Sequence, residues 1–243
     1  MSSIQFTLSL PDGTPLDTVA DAMNSLRQLA LMLPVTEVTR VMILSAERIR
    51  EMNDDPKSPD PFDLRRTVAT HNHSDPDSVL PGDLMTVLPL RALAVGVQMV
   101  TEGYPLHLVL ANYPATVSDE HGNEIPSGLI GWQGQGAWQW QDDSAHDPDD
   151  VLSHLMVIAL LDAARHVGLT VSVTDESGFW QHRRLAAIGG IPWLKVHTDW
   201  TIKDRESMRN LAVLLDAVEV QPGYTPTGPG DGQRLTPINP KET

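Results

Sequence analysis

The chain has no cysteine, so it has no disulfides, no thiolate metal ligands and no cysteine nucleophile, and any metal must be held by His, Asp and Glu. Basic residues are scarce: 17 Lys plus Arg stand against 32 Asp plus Glu in 243 residues, a formal net charge of -15. No segment gathers them into a stripe that would neutralise phosphates, which argues against nucleic acid and against an anionic membrane as partners. Such a charge suits solubility first and a basic partner protein second. Also missing is any run of about 18 apolar residues, the length that spans a bilayer. The opening MSSIQFTLSLPDG has neither a basic stretch nor the apolar core of an export signal. A cytoplasmic location is therefore expected.

What is present reads as alternating short elements. SIQFTLSL (residues 3–10) has the period of a strand, and Pro11-Asp12-Gly13 is a turn signal. Val19, Met23, Leu26, Ala30 and Leu33 recur at helical spacing, with Pro15 and Asp17 suited to a helix start and Pro34 to its stop. VTRVMIL (38–44) predicts a strand, and LRRTVAT predicts another that ends on His71, beyond a loop at 53–63 rich in Asp and Pro. Pro81-Gly82-Asp83 predicts a helix start, with the helix running to about Leu93 and kinked at Pro89. VGVQMVT and PLHLVLANY predict two further strands.

The class expected is α+β, a mixed sheet flanked by helices and followed by a smaller α/β unit. Residues 1–115 form the first domain in this reading, and the Gly/Trp-rich, then acidic stretch 116–150 is a connector. Residues 151–220 form the second unit, with an apolar helix over 151–167 ending at Gly168, the strand LTVSVTD, and a last helix from Leu211 to Val220. Residues 221–243, rich in Pro and Gly, are expected to be a disordered tail.

One stretch has a definite chemical reading, His71-Asn72-His73 running on to Asp83. Two His at i and i+2 on an extended segment point to the same side, so both imidazoles reach one metal ion, and Asp83 supplies a third ligand across the loop. Three protein ligands and a water make an open zinc site, in which the water's pKa falls towards neutrality. Hydrolysis also needs a proton acceptor beside that water, and Glu37 is the best candidate. The competing explanation is a polar loop whose Asp, Asn and Ser cap the next helix and bind nothing.

LALMLPVTEVTRVMIL and TVATHNHSDPDSVLPGDL together resemble the JAMM, or MPN-plus, metalloproteases, which include isopeptidases and the RadC-like bacterial proteins. In that family a helix leads through Pro-x-Glu into an apolar strand, and a later strand ends in His-x-His-Pro, with Ser-x-x-Asp at the next helix start. The resemblance covers about residues 16–112. It implies a JAMM-like fold for the first domain, zinc held by His71, His73 and Asp83, Glu37 as general acid/base, and hydrolysis of a protein tail, such as a ubiquitin-like one. Ser74 stands where the family has Pro, and Leu80 where it has the Ser that helps stabilise the oxyanion. The His71-to-Asp83 spacing is one residue short, and the Gly expected after the Glu is replaced within Val38-Thr39-Arg40. The alternative implied by these departures is a catalytically inactive JAMM-like scaffold that binds a partner protein. THNHSD also echoes the His-x-His-x-Asp-His of metallo-β-lactamase-like hydrolases, but Pro76 stands where the last His is needed.

Other features favour plain explanations. Gly131, Gly134 and Gly136 are interleaved with Trp132, Trp138 and Trp140 and lack the Lys and Ser/Thr of a phosphate loop, so a Trp-rich turn or strand edge is expected. His154, Asp162 and His166 on the 151–167 helix suggest a second metal site less strongly than they suggest polar edges of a core helix. The loop Asp175-Glu176-Ser177-Gly178-Phe179-Trp180 is expected to be anchored by its two aromatic residues. This C-terminal part resembles uncharacterised bacterial proteins, which implies no activity.

Overall fold

Alternation in the first ten residues sets up the main sheet. In the computed structural model, which describes residues 2–54, 60, 62–69, 84–99, 105–118, 122–140, 148–182 and 211, strand β1 spans Ser2–Leu10. Its Ile4, Phe6, Leu8 and Leu10 are buried, while Gln5 and Thr7 face outward. Helix α1 (Leu16–Leu31) follows the Pro11–Gly13 turn and buries Val19, Ala22, Met23, Leu26 and Ala30 on one stripe. Each large apolar side chain so buried contributes roughly 1.5–3 kcal/mol. Pro15, extended at the N-cap position, and Asp17 in the first turn mark its start as expected.

The strand expected over 38–44 is broken in two, β2 (Glu37–Val38) and β3 (Met42–Ser45). Both pair antiparallel with β6 (Arg91–Gln98), Val38 opposite Val97 and Met42 opposite Ala94. Residues 39–41 thus face only 95 and 96, which is a β-bulge. Thr39 holds it: its N–H donates to the Gly96 carbonyl at 2.9 Å, and its hydroxyl accepts from the Gly96 N–H at 2.8 Å. The Thr39 carbonyl is turned away and accepts from Arg27 Nε at 2.9 Å.

Helix α2 (Ala46–Asp54) was not expected, although Ser45 Oγ caps it by accepting from the Arg48 N–H at 3.3 Å. A second correction concerns the helix expected from Asp83 to Leu93. Among its described residues, Leu84–Val87 is strand β5, paired antiparallel with β4 (Arg66–Ala69), and Arg91 already belongs to β6. A four-residue apolar run carries no helical period, Thr86 and Val87 are β-branched, and Pro89 separates two extended segments more readily than it kinks a helix. The expected strands at VGVQMVT and PLHLVLANY are β6 and β7 (Leu106–Asn112); Met99, Pro105 and Tyr113 fall outside the strands, and residues 100 and 101 lie outside the described residues. A small hairpin, β8 (Thr116–Ser118) with β9 (Glu124–Pro126), follows.

The glycine- and tryptophan-rich stretch forms β10 (Trp132–Trp140), and the apolar helix is α3 (Pro148–His166), leading to β11 (Thr170–Asp175) and the short α4 (Phe179–His182). Only Leu211 of the expected last helix is described; it is helical and buried, and residues 221–243 lie outside the described residues. The main sheet has seven strands in the order β11-β1-β10-β7-β6-β2, with β3 also on β6, and every pairing is antiparallel. The fold is therefore mixed α+β on a mostly antiparallel sheet. The sheet runs across the boundaries expected at 115 and 150: β10 comes from the expected connector and β11 from the expected second unit, and both pair with β1.

Two clusters of buried side chains fill the molecule. The larger lies between the sheet and helices α1 and α3, joining Ile4, Leu8, Met23, Leu26, Val95, Leu108, Trp132 and Leu155 through Leu161. The smaller lies on the opposite face of β6 and β7, where Ala92, Ala94, Val109 and Ala111 meet Ile49, Phe62, Leu64, Val87 and Tyr113. β10 pairs with β1 along its whole length but with β7 only at Trp132–Asn112 and Gln133–Ala111. At Gly134 the β10 backbone lies so close to the Val109 carbonyl that a Cβ would collide with it.

Candidate functional site

Glu37 opens β2 at the sheet edge, exposed and opposite Gln98. The Thr36 N–H beside it donates to the Gln98 carbonyl at 2.8 Å, so the backbone at this position is fixed. His71, His73 and Asp83 lie outside the described residues, as do Ser74 and Leu80. Their flanks are described. In the β4–β5 ladder Arg66 pairs with Val87, Thr67 with Thr86, Val68 with Met85 and Ala69 with Leu84. Val68 and Val87 set this hairpin on the smaller core cluster. The chain therefore leaves the ladder at Ala69, two residues before His71, and re-enters it at Leu84, bonded to Asp83.

Among the described residues no group of three His, Asp or Glu side chains is arranged to hold a metal. His154, Asp162 and His166, weighed as a second metal set, are used otherwise. His166 Nδ1 lies 3.0 Å from the Asp162 carbonyl one turn back, and His154 turns into the core against β11.

That turn creates a cluster which no local signal in the sequence announces. His154, fully buried, places Nε2 3.3 Å from Asp175 Oδ2 and 3.4 Å from Ser177 Oγ, and the rings of Trp138 and Phe179 meet it edge-on. Asp175 accepts from the Ser177 N–H at 2.9 Å, the Ser177 hydroxyl at 2.7 Å and the Trp180 N–H at 2.8 Å. Burial pushes its carboxyl up, but the bonds from His154, Trp180 and Ser177, together with the charge of His154, outweigh burial and hold it at about 2.

The residue types are those of a serine hydrolase, but the geometry is not. A nucleophilic triad needs the carboxylate on one imidazole nitrogen and the hydroxyl on the other. Here Asp175 and Ser177 both face Nε2, and Ser177 donates its proton to Asp175. The cluster is an Asp-centred turn that starts α4 and ties it to α3. The expected anchoring of this loop by Phe179 is present, since its side chain is buried in the main core.

The described residues define an α+β protein with an open, mostly antiparallel sheet, in which strands β4 and β5 flank the segment that carries His71, His73 and Asp83 in the sequence. Comparison of the chain with protein-family models, curated proteins and solved structures gives no match. Among the described residues no helix is long and apolar enough to cross a membrane.

Proposed function

We propose that the chain is a JAMM-like zinc-dependent peptidase or isopeptidase that hydrolyses a protein tail. His71, His73 and Asp83 would hold the zinc, which when bound supplies a Lewis acid and lowers the pKa of its water. Glu37 would move the proton. The observation that carries the reading is the Ala69–Leu84 pair. Ligands separated by a dozen residues need the chain to return to its starting point, and a closed hairpin stem does that with no further ordering cost. Glu37 at the start of an edge strand, directly after α1 and Pro34, agrees with the family's element order.

The test is zinc content and hydrolysis together. Purified protein should hold one zinc per chain, lost in His71→Ala, and Glu37→Gln should keep the zinc while losing cleavage of a linear ubiquitin-like fusion. Zinc-free protein whose melting temperature does not respond to added zinc would sink the proposal.

A second reading, an inactive JAMM-like scaffold for a protein partner, is favoured by one observation: a strand, β5, follows Asp83 where the family has a helix. On that reading Glu37→Ala leaves partner capture intact, and its loss in that variant would count against the scaffold.

A further inference from the structure

Among the described residues the two faces of the sheet are covered unequally. On the helix side α1 and α3 cover the β1 and β10 strands, while on the other side the layer made by β4, β5 and residues 60–66 reaches only over β6 and β7. Where that layer stops, it forms a wall beside the outer face of β11, β1 and β10. Among the described residues this outer face carries hydroxyls and carboxamides in cross-strand rows. Ser172, Thr7 and Gln135 form one row, and Thr170, Ser9 and Gln133 form the next. Two adjoining clefts of about 330 and 490 Å³ lie along it and share Thr7 and Gln135.

The wall is rigid. Asp60 accepts from the Phe62 and Leu64 N–H groups, the Tyr113 hydroxyl donates to the Leu64 carbonyl at 3.0 Å, and Arg66 lies over the Tyr113 ring. Burial, opposed by the Arg66 charge and reinforced by Asp63 and Asp60, pushes the Tyr113 phenol up to about 12, so it remains a donor. Between these anchors Asp63 adopts φ 46°, a conformation that non-glycine residues seldom take, and its carboxylate accepts from the Gln135 amide on the floor.

We propose that this groove binds a neutral oligosaccharide. Its floor groups act as both donor and acceptor, as sugar hydroxyls do, and the cleft volumes fall in the range of small-ligand sites. Among the described residues the charges lining it are Asp12, Asp63 and Arg66, with Asp63 and Arg66 3.9 Å apart, in a chain whose net charge is -15. With the guanidinium paired to Asp63 and outnumbered by carboxylates, an anionic ligand finds no complement there. A carboxylate accepting from one hydroxyl beside a guanidinium donating to another matches adjacent hydroxyls on a sugar ring. An extended peptide is disfavoured because the floor of the groove presents side chains rather than a free strand edge.

Binding in this groove uses none of the proposed zinc ligands and does not depend on zinc. Cellohexaose, maltohexaose and chitohexaose, each titrated into the full chain, supply the test by amide chemical shifts. At least one should perturb Thr7, Gln135 and Ser172 together. The double variant Thr7→Val/Ser172→Ala, which removes both hydroxyls on an exposed face with little change of shape, should weaken binding roughly tenfold, the loss of two hydrogen bonds. Asp63→Asn, whose side chain tolerates the same φ, should weaken it with the backbone unchanged. Absence of shifts with all three sugars up to their solubility overturns the proposal. So does undiminished binding in both variants, or binding of a neutral Gly/Ser/Thr decapeptide in the groove where the sugars do not bind.

Discussion

Asp175 illustrates how one residue can couple the fold to pH. Its folded-state pKa of about 2 lies below the ordinary value of 3.8, so the fold favours the ionised form. The stabilisation it brings is fully present above the unfolded pKa and is lost as pH falls through the folded one, in the window from about pH 4 to pH 2. The shift corresponds to about 2 kcal/mol. Urea titrations across that window should show a loss of this size, and Asp175→Asn should remove that component; an unchanged acid slope in the variant would disprove the assignment. Gly134 makes a steric prediction. Because its Cβ position coincides with the Val109 carbonyl, Gly134→Ala must push β10 off β7, and a cost above about 3 kcal/mol is expected from chemical denaturation. A cost under about 1 kcal/mol would show that the strands separate there freely.

Among the elements, the bulge between β2 and β3 depends on a hydroxyl standing in for a backbone acceptor. Thr39→Val should leave the Gly96 N–H without that partner and cost about 1–3 kcal/mol, while Thr39→Ser should recover most of it. Equal stability of the two variants would mean that Arg27 alone fixes the bulge.

The elements differ in how far the sequence announced them. β1, α1 and β11 are legible because each has a single-period pattern, and α3 because its apolar run is too long for a strand and ends at Gly168. The bulge was not, because it arises from a contact between Thr39 and Gly96, far apart in the chain. β5 was misread as helix because Leu84 to Leu88 is too short to show any period, and only pairing with β4 decides its form. α2 was legible in hindsight from Ser45 and the helix formers Ala46, Glu47 and Arg48. At the candidate site, the residue types came from the sequence alone, whereas the Ala69–Leu84 closure and the meeting of His154 with Asp175 are products of tertiary packing.

For the molecule as a whole, continuity of the sheet outranks the composition shift at residue 115. A fragment of residues 1–115 would lack β10, β11 and α3, leaving β1 with neither neighbour and one side of the main core open. It is expected to show no cooperative thermal transition by circular dichroism; a sharp transition would mean that the first half is an independent folding unit. The same topology sets a timetable during synthesis. β1 is made well before its partners, residues 132–140 and 170–175. At about 5–20 residues per second, the apolar row of Ile4, Phe6, Leu8 and Leu10 waits on the order of ten seconds for a strand to join it. The apolar row of β1 is thus the described segment most exposed to aggregation whenever translation stalls before β10 emerges.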